Sequence, residues 1–236
     1  MPKNKYVDFV SDEHFLRCVK WVCDAYPDKS ADVNMEMLQR NALDPFKMVF
    51  DIVNGKTEVE TWVKNEAIRQ FDKTINNRIG EFHQKLLGGV NGWTNLGTGD
   101  ESKVDLKRKD NSIFMELKNK FNTVNADSLQ SVRQKLERCV IKNPKAMAYW
   151  AYIVERDGSS GESPWSYRGE NNPRIRKIWG GKVYELVTGD TMSFGKTWRT
   201  LPAAINDVIG KRNAISEENI RKLVKFFEDS FRNYDM

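Results

Sequence analysis

The sequence predicts a mixed α/β domain, with a central mixed β-sheet flanked by helices and helical parts at both ends of the chain. Three observations carry that prediction. Apolar residues recur at helical spacing through the first third; beyond Gly88 and Gly89 the pattern changes to short alternating segments; helical spacing returns near the C-terminus.

Taken in order, Ser11 stands as a cap ahead of Phe15, Cys18, Val19, Val22 and Tyr26, which share one helical face. Asp44 and Pro45 open a second helix carrying Phe46, Val49, Phe50 and Val53, with Gly55 after it. A third runs from about Val59 to Leu87, with Trp62, Val63, Ile68, Phe71, Ile79, Phe82 and Leu86 as its apolar set. A break is expected near Asn76 and Asn77, and Gly88 and Gly89 form the stop. Gly92 to Leu96 reads as a short strand. Lys103 to Arg108 and Ile113 to Lys118 then form a β-hairpin about the turn Lys109-Asp110-Asn111-Ser112.

Leu129, Val132, Leu136 and Val140 mark the next helix, with Pro144 beyond its end, and the apolar run from Ala146 to Val154 is a buried strand. Residues 157–181 are irregular and rich in Gly, Ser, Pro and Asn, too long for an ordinary connector and so either functional or mobile. Lys182 to Thr188 reads as one more strand. Helices follow near Pro202 to Ile209 and after Ser216, the latter with Ile220, Leu223, Val224, Phe227 and Phe231. The expected organisation is one domain over 1–236: a helical N-terminal part (1–75), a core (76–190) and a helical C-terminal part (191–236).

Composition excludes several classes. With 39% hydrophobic and 30% charged residues the chain is neither disordered nor, lacking an apolar run near twenty residues, membrane-spanning. The N-terminus has no secretory pattern, so a cytoplasmic protein is expected. Cys18, Cys23 and Cys139 are odd in number and not spaced as a metal pair, which makes them thiols of the core. A net charge of +5 favours a polyanionic partner. From Trp165 to Lys182, Arg168, Arg174, Arg176, Lys177 and Lys182 face only Glu170 and alternate with Trp165, Tyr167 and Trp179, a patch suited to phosphates.

The hairpin carries the chemistry. Residues two apart on a strand share a face, so Val104 and Leu106 oppose Lys103, Asp105 and Lys107, while Ile113, Met115 and Leu117 oppose Phe114, Glu116 and Lys118. If the apolar side packs on the core, Asp105, Glu116 and Lys118 emerge together on the other. Two close carboxylates repel unless a cation joins them, and hard oxygen ligands suit Mg²⁺, with Asp105 and Glu116 as its ligands. Lys118 is placed to orient or deprotonate an attacking water, which points to phosphodiester hydrolysis, against the alternative that Asp105, Glu116 and Lys118 form a solvated salt-bridge face.

Of the rival acid-x-lysine triplets, Glu101-Ser102-Lys103 lies in a Gly-rich loop with no strand before it, and Asp105-Leu106-Lys107 lacks an upstream acid on a paired strand. Glu81, near the end of the long helix, is a third candidate acid, against the alternative of an exposed charge paired with Lys85. His83 reads as a structural or surface residue. Gly189 to Thr197 imitates a phosphate-binding loop, but five residues separate its glycines where four are required, so no nucleotide cofactor is expected.

Asp105 to Lys118 resembles the catalytic hairpin of the PD-(D/E)xK nucleases, with Val104-Asp105 in place of Pro-Asp. Further segments, Asp44 to Lys47, Arg69 to Lys73, Asn76 to Gln84, Asn91 to Trp93, Glu116 to Thr123 and Val187 to Asp190, resemble the type II restriction endonucleases that cut GGNCC-type sites. The resemblance implies a PD-(D/E)xK restriction-endonuclease-like core acting on double-stranded DNA as a homodimer, with Lys118 as catalytic lysine. It also implies that Asn119, Lys120, Asn122 and Asn125 meet the DNA just past the active strand. Arg168, Arg174, Arg176 and Lys177 are candidate DNA contacts from the basic segment. A repair or recombination nuclease on the same fold, and a DNA-binding module with a relic site, are the competing readings.

Overall fold

The computed structural model describes residues 4–26, 43–97, 101–122 and 126–210. It divides into two compact units: Met1–Lys20 with Gly80–Met236, and Trp21–Ile79. The elements in order are α1 (Asp12–Cys23), α2 (Pro45–Val53), α3 (Val59–Gly88), β1 (Trp93–Asn95), β2 (Leu106–Arg108), β3 (Ile113–Lys120), α4 (Ala126–Lys142), β4 (Met147–Val154), β5 (Gly161–Pro164), β6 (Ile175–Trp179), α5 (Gly181–Thr188) and α6 (Ser193–Ile209). Among the described residues, six helices and a six-stranded mixed sheet bear out the expected mixed α/β class.

In the first unit the sheet order is β1-β2-β3-β4-β6-β5. β1, β2 and β3 form an antiparallel meander, β3, β4 and β6 run parallel, and β5 returns antiparallel along the edge of β6. A parallel pair cannot be joined by a tight turn, so β3 reaches β4 through α4. That helix buries Val132, Leu136, Cys139 and Val140 against Phe114, Ala148, Trp150, Tyr152 and Ile175 of the sheet. β4 is buried on both faces from Ala148 to Ile153, which explains its uninterrupted apolar run.

Helix ends follow their local chemistry. Ser11 Oγ accepts from the His14 backbone N–H at the start of α1. His14 Nε2 lies 3.0 Å from the Lys85 carbonyl in the last turn of α3. The Gly88 and Gly89 stop has a steric cause: a Cβ on Gly88 would lie 2.5 Å from Asn95 Cβ and 2.7 Å from its backbone nitrogen, and one on Gly89 would meet the His14 ring. No break occurs at Asn76 and Asn77, where α3 is continuous.

Three sequence expectations are corrected. Lys182 to Thr188 is helix, not strand: Val183, Tyr184 and Val187 are buried at helical spacing, and Gly189 closes the turn at φ 77°. Their β-branched and aromatic character suggested a strand. Conversely β5 and β6 lie inside the stretch read as irregular, because Arg176 and Lys177 interrupt the apolar pattern of β6. α6 begins at Ser193 and carries Pro202 in its interior. The helix expected after Ser216 lies outside the described residues.

In the second unit Asp44 caps α2 through the backbone N–H groups of Phe46 and Lys47. Trp62 donates its indole N–H to Asp51 at 2.9 Å, and buried Glu66 is held by Arg69 and Gln70. The apolar set carried by α2, Phe46, Val49, Phe50 and Val53, is exposed, as is Ile68.

Gly88→Ala is expected to lower the free energy of unfolding by about 1–3 kcal/mol, since the new methyl forces the end of α3 away from β1. Urea denaturation measures it, and a loss under about 0.5 kcal/mol contradicts the close approach.

Candidate active site

The β2–β3 ladder pairs Leu106 with Met115 and Lys107 with Phe114, and then changes character. Asp105 still donates its backbone N–H to Met115, at 3.1 Å. The next N–H along β3, that of Leu117, is accepted by the Asp105 side chain, Oδ2, at 2.7 Å. The Asp105 carboxylate thus takes the place of a backbone acceptor where the ladder ends. This explains why β2 begins at Leu106 and not at Lys103, whose φ is 56°.

Glu116 is 2% exposed. Its Oε1 accepts from Lys118 Nζ at 3.0 Å and from Lys135 Nζ at 2.8 Å, while Oε2 is buried with no hydrogen-bond partner. Burial raises the Asp105 carboxyl to about pKa 6, helped by the Glu116 charge and opposed by Lys118, the Leu117 N–H and Lys135. Two carboxylates and two ammonium groups therefore meet on one side of β3, with one acid oxygen unsatisfied.

The structure brings Asp105, Glu116 and Lys118 together as alternation requires, but the acid face is not open. Phe114, on that face, sits in the core cluster with Leu136 and Val140, because α4 covers it. Val104 joins the same cluster. Sequence reasoning missed Lys135. It flanks the Val132, Leu136 and Cys139 stripe of α4, and nothing in its spacing separates it from any other lysine beside an apolar face.

Glu81 is half-buried on α3, next to Gly80, where an added Cβ would lie 4.0 Å from Asn119 Cβ. Among the described residues no three His, Cys, Asp or Glu side chains gather as a metal group. Asn119 and Lys120 end β3 and Asn122 follows, exposed; Asn125 lies outside the described residues.

The basic segment is largely engaged within the protein. Arg174 donates to the carbonyls of Val140 at 2.7 Å and Pro144 at 2.8 Å, closing the end of α4. Arg176 pairs with Glu162 across β5 and β6. Lys177 lies 5.4 Å from the Trp150 ring centroid and Arg168 5.4 Å from that of Tyr167.

The other candidates have structural roles. His83 Nδ1 is 2.7 Å from Tyr184 Oη, and the surrounding protein lowers its pKa to about 4, leaving it neutral at pH 7. All three cysteines are free thiols, with Cys18 and Cys139 buried. In the loop that imitates a phosphate-binding motif, Lys196 pairs with Asp190 at 2.6 Å and Asp8 at 2.8 Å. No described helix is long and apolar enough to cross a membrane.

Comparison with known proteins supplies the class, which is that of the restriction endonucleases. Residues 7–210 match the model of the Eco47II restriction endonuclease family, and the chain belongs to that family. It is 29% identical over 240 residues to the type II restriction enzyme Sau96I of Staphylococcus aureus, covering 98% of this chain and 91% of that protein. It is 34% identical over 217 residues to the type II restriction enzyme Eco47II of Escherichia coli, covering 87% and 89%. The family resemblance read from the sequence is borne out.

The Asp105 environment makes stability depend on pH. A carboxyl at about 6 in the folded chain and near 3.8 when unfolded binds more protons in the folded state between those values. In metal-free buffer its contribution is therefore fully present at low pH and is lost as pH rises from about 4 to 6. Asp105→Asn removes that decline, so the stability difference between variant and wild type should grow in the variant's favour across this window. Parallel curves in thermal melts from pH 4 to 7 contradict the assignment.

Proposed function

We propose that the chain is a Mg²⁺-dependent, sequence-specific endonuclease of double-stranded DNA, a type II restriction enzyme acting at a GGNCC-like palindrome. The observation that carries this reading is the unsatisfied Oε2 of Glu116, a residue that is paired with Lys118 through Oε1 and coupled electrostatically to Asp105, in a chain of a restriction endonuclease family. The donor set fits the ion: two hard carboxylates, one with a buried oxygen lacking any donor, suit a Mg²⁺ that keeps several of its waters. Asp105 and Glu116 would hold it, and when bound it supplies Lewis-acid polarisation of the scissile phosphate. The Asp and Glu-x-Lys arrangement on adjoining strands supports membership of the PD-(D/E)xK superfamily.

The protein's own groups do the rest. Leu117 N–H fixes the Asp105 carboxylate, and α4 excludes water from the Glu116 side. Lys118, partly exposed and donating to Glu116, orients the attacking water as an ammonium and offsets the negative charge that builds on the phosphate; as the water oxygen bonds phosphorus its proton passes to solvent, and the departing sugar oxygen takes a proton from solvent as its bond to phosphorus breaks. Glu81 stands as an auxiliary acid on this reading. Asn119 and Lys120 at the end of the active strand, with Asn122 and Asn125 after it in sequence, meet the DNA.

From the basic segment, Arg168 and Lys177 are the better phosphate contacts. Arg174 and Arg176 act mainly by holding that segment in place, with Arg176 able to exchange Glu162 for a phosphate. A palindromic target presents each half-site identically, which a twofold dimer matches. The enzyme works in the cytoplasm as one nuclease domain.

Incubation with a plasmid and Mg²⁺, followed by sequencing of the ends, is expected to give discrete fragments with one recurrent end sequence, and chelation should stop the reaction. Asp105→Ala and Lys118→Ala should each cut at least about a hundredfold more slowly while keeping the wild-type fold by circular dichroism. Full activity in either variant refutes the assignment.

A further inference from the structure

Lys135 lies outside the hairpin, yet its ammonium is nearer to Glu116 than that of Lys118, 2.8 Å against 3.0 Å, and both approach the same oxygen. Two ammonium groups on one oxygen repel each other. The other oxygen, equally buried, has no donor at all. A site built only to neutralise a buried carboxylate would spread its donors over both oxygens, because leaving one bare costs desolvation free energy without return. Crowding Oε1 and sparing Oε2 makes physical sense when Oε2 is reserved for another cation.

The charges agree. The cluster matches two acidic side chains, Asp105 and Glu116, with two basic ones, Lys118 and Lys135, so acids and bases are equal in number before any divalent ion arrives. Lys118 has a place in the hydrolytic chemistry proposed above, whereas Lys135 reaches the site from a different element, α4, with its side chain mostly covered.

Building on the nuclease reading above, we infer that Lys135 is a positioning residue and a built-in placeholder cation. It clamps the Glu116 carboxylate through Oε1, leaves Oε2 open, and opposes by its charge the divalent ion that Oε2 and Asp105 receive. Removing the charge weakens that opposition more than it loosens the carboxylate, because Lys118 still holds Oε1. Binding of the ion should therefore tighten, while turnover falls as the carboxylate loses its second clamp. A merely structural lysine predicts no gain in ion affinity.

The test is calorimetric titration of Ca²⁺ into the full chain without DNA, at fixed moderate salt, for wild type, Lys135→Met, Lys135→Gln and Lys135→Arg. Met and Gln variants are expected to bind Ca²⁺ about tenfold tighter than wild type, since a unit charge is screened little in a partly buried site. The Arg variant, which keeps the charge, should stay within about threefold of wild type on the same grounds. In plasmid cleavage with Mg²⁺ the Met and Gln variants should lose kcat with KM for DNA unchanged.

Gln keeps a hydrogen-bond donor without the charge, so it decides the matter if the Met variant does not fold. Ca²⁺ affinity equal to or weaker than wild type in the neutral variants overturns the placeholder role and leaves the nuclease reading standing. A wild-type chain that binds no Ca²⁺ overturns the metal site itself, and this inference with it.

Discussion

A carboxylate withdrawn from water with one of its oxygens unsatisfied is the constraint on which the rest of the site depends. Glu116 is almost wholly buried, and the amino groups of Lys118 and Lys135 both donate to its Oε1. Removing one partner of such a buried arrangement typically costs more than the intact pair contributes, since the remaining charge stays behind unpaired. The same side chain leaves Oε2 without a donor, and Glu116 acts electrostatically on the neighbouring Asp105 carboxyl.

The topology makes this placement nearly unavoidable. β3 is the strand where the sheet changes from antiparallel to parallel pairing, with β2 on one side and β4 on the other. The antiparallel side delivers Asp105 across a tight hairpin. The parallel side requires a crossover helix, and α4, in making that connection, lies over the face that Glu116 and Lys118 share. Burial of the Glu116 face and the arrival of Lys135 thus have one common cause. Arg174 contributes from a distance by fixing the end of that same helix through the carbonyls of Val140 and Pro144.

Much of this was legible in the sequence, and the parts that were not share a physical reason. Period-two alternation put Asp105, Glu116 and Lys118 on one face, and the structure brings those three groups together. Alternation speaks only of neighbours along one strand, however, and says nothing of what a later helix lays over that face. Hence the expectation of an open acid surface and the omission of Lys135. The same limit explains Arg174 and Arg176, read from composition as free cations but found bonded to the α4 end and to Glu162.

Short segments failed for the opposite reason. Val183, Tyr184 and Val187 carry strand-like side chains, yet their burial follows a helix, because packing outweighs intrinsic preference over so few residues. The exposed apolar set of α2 was likewise legible as a helix but not as an uncovered one.

On the proposed function, Asp105 and the spare oxygen of Glu116 form one divalent-ion site. Anomalous diffraction from crystals of the chain soaked in Mn²⁺ tests it most directly. A strong peak within coordinating distance of Glu116 Oε2 and an Asp105 oxygen is the predicted result. A map with no peak at that position under saturating Mn²⁺, with both side chains well ordered, contradicts the account.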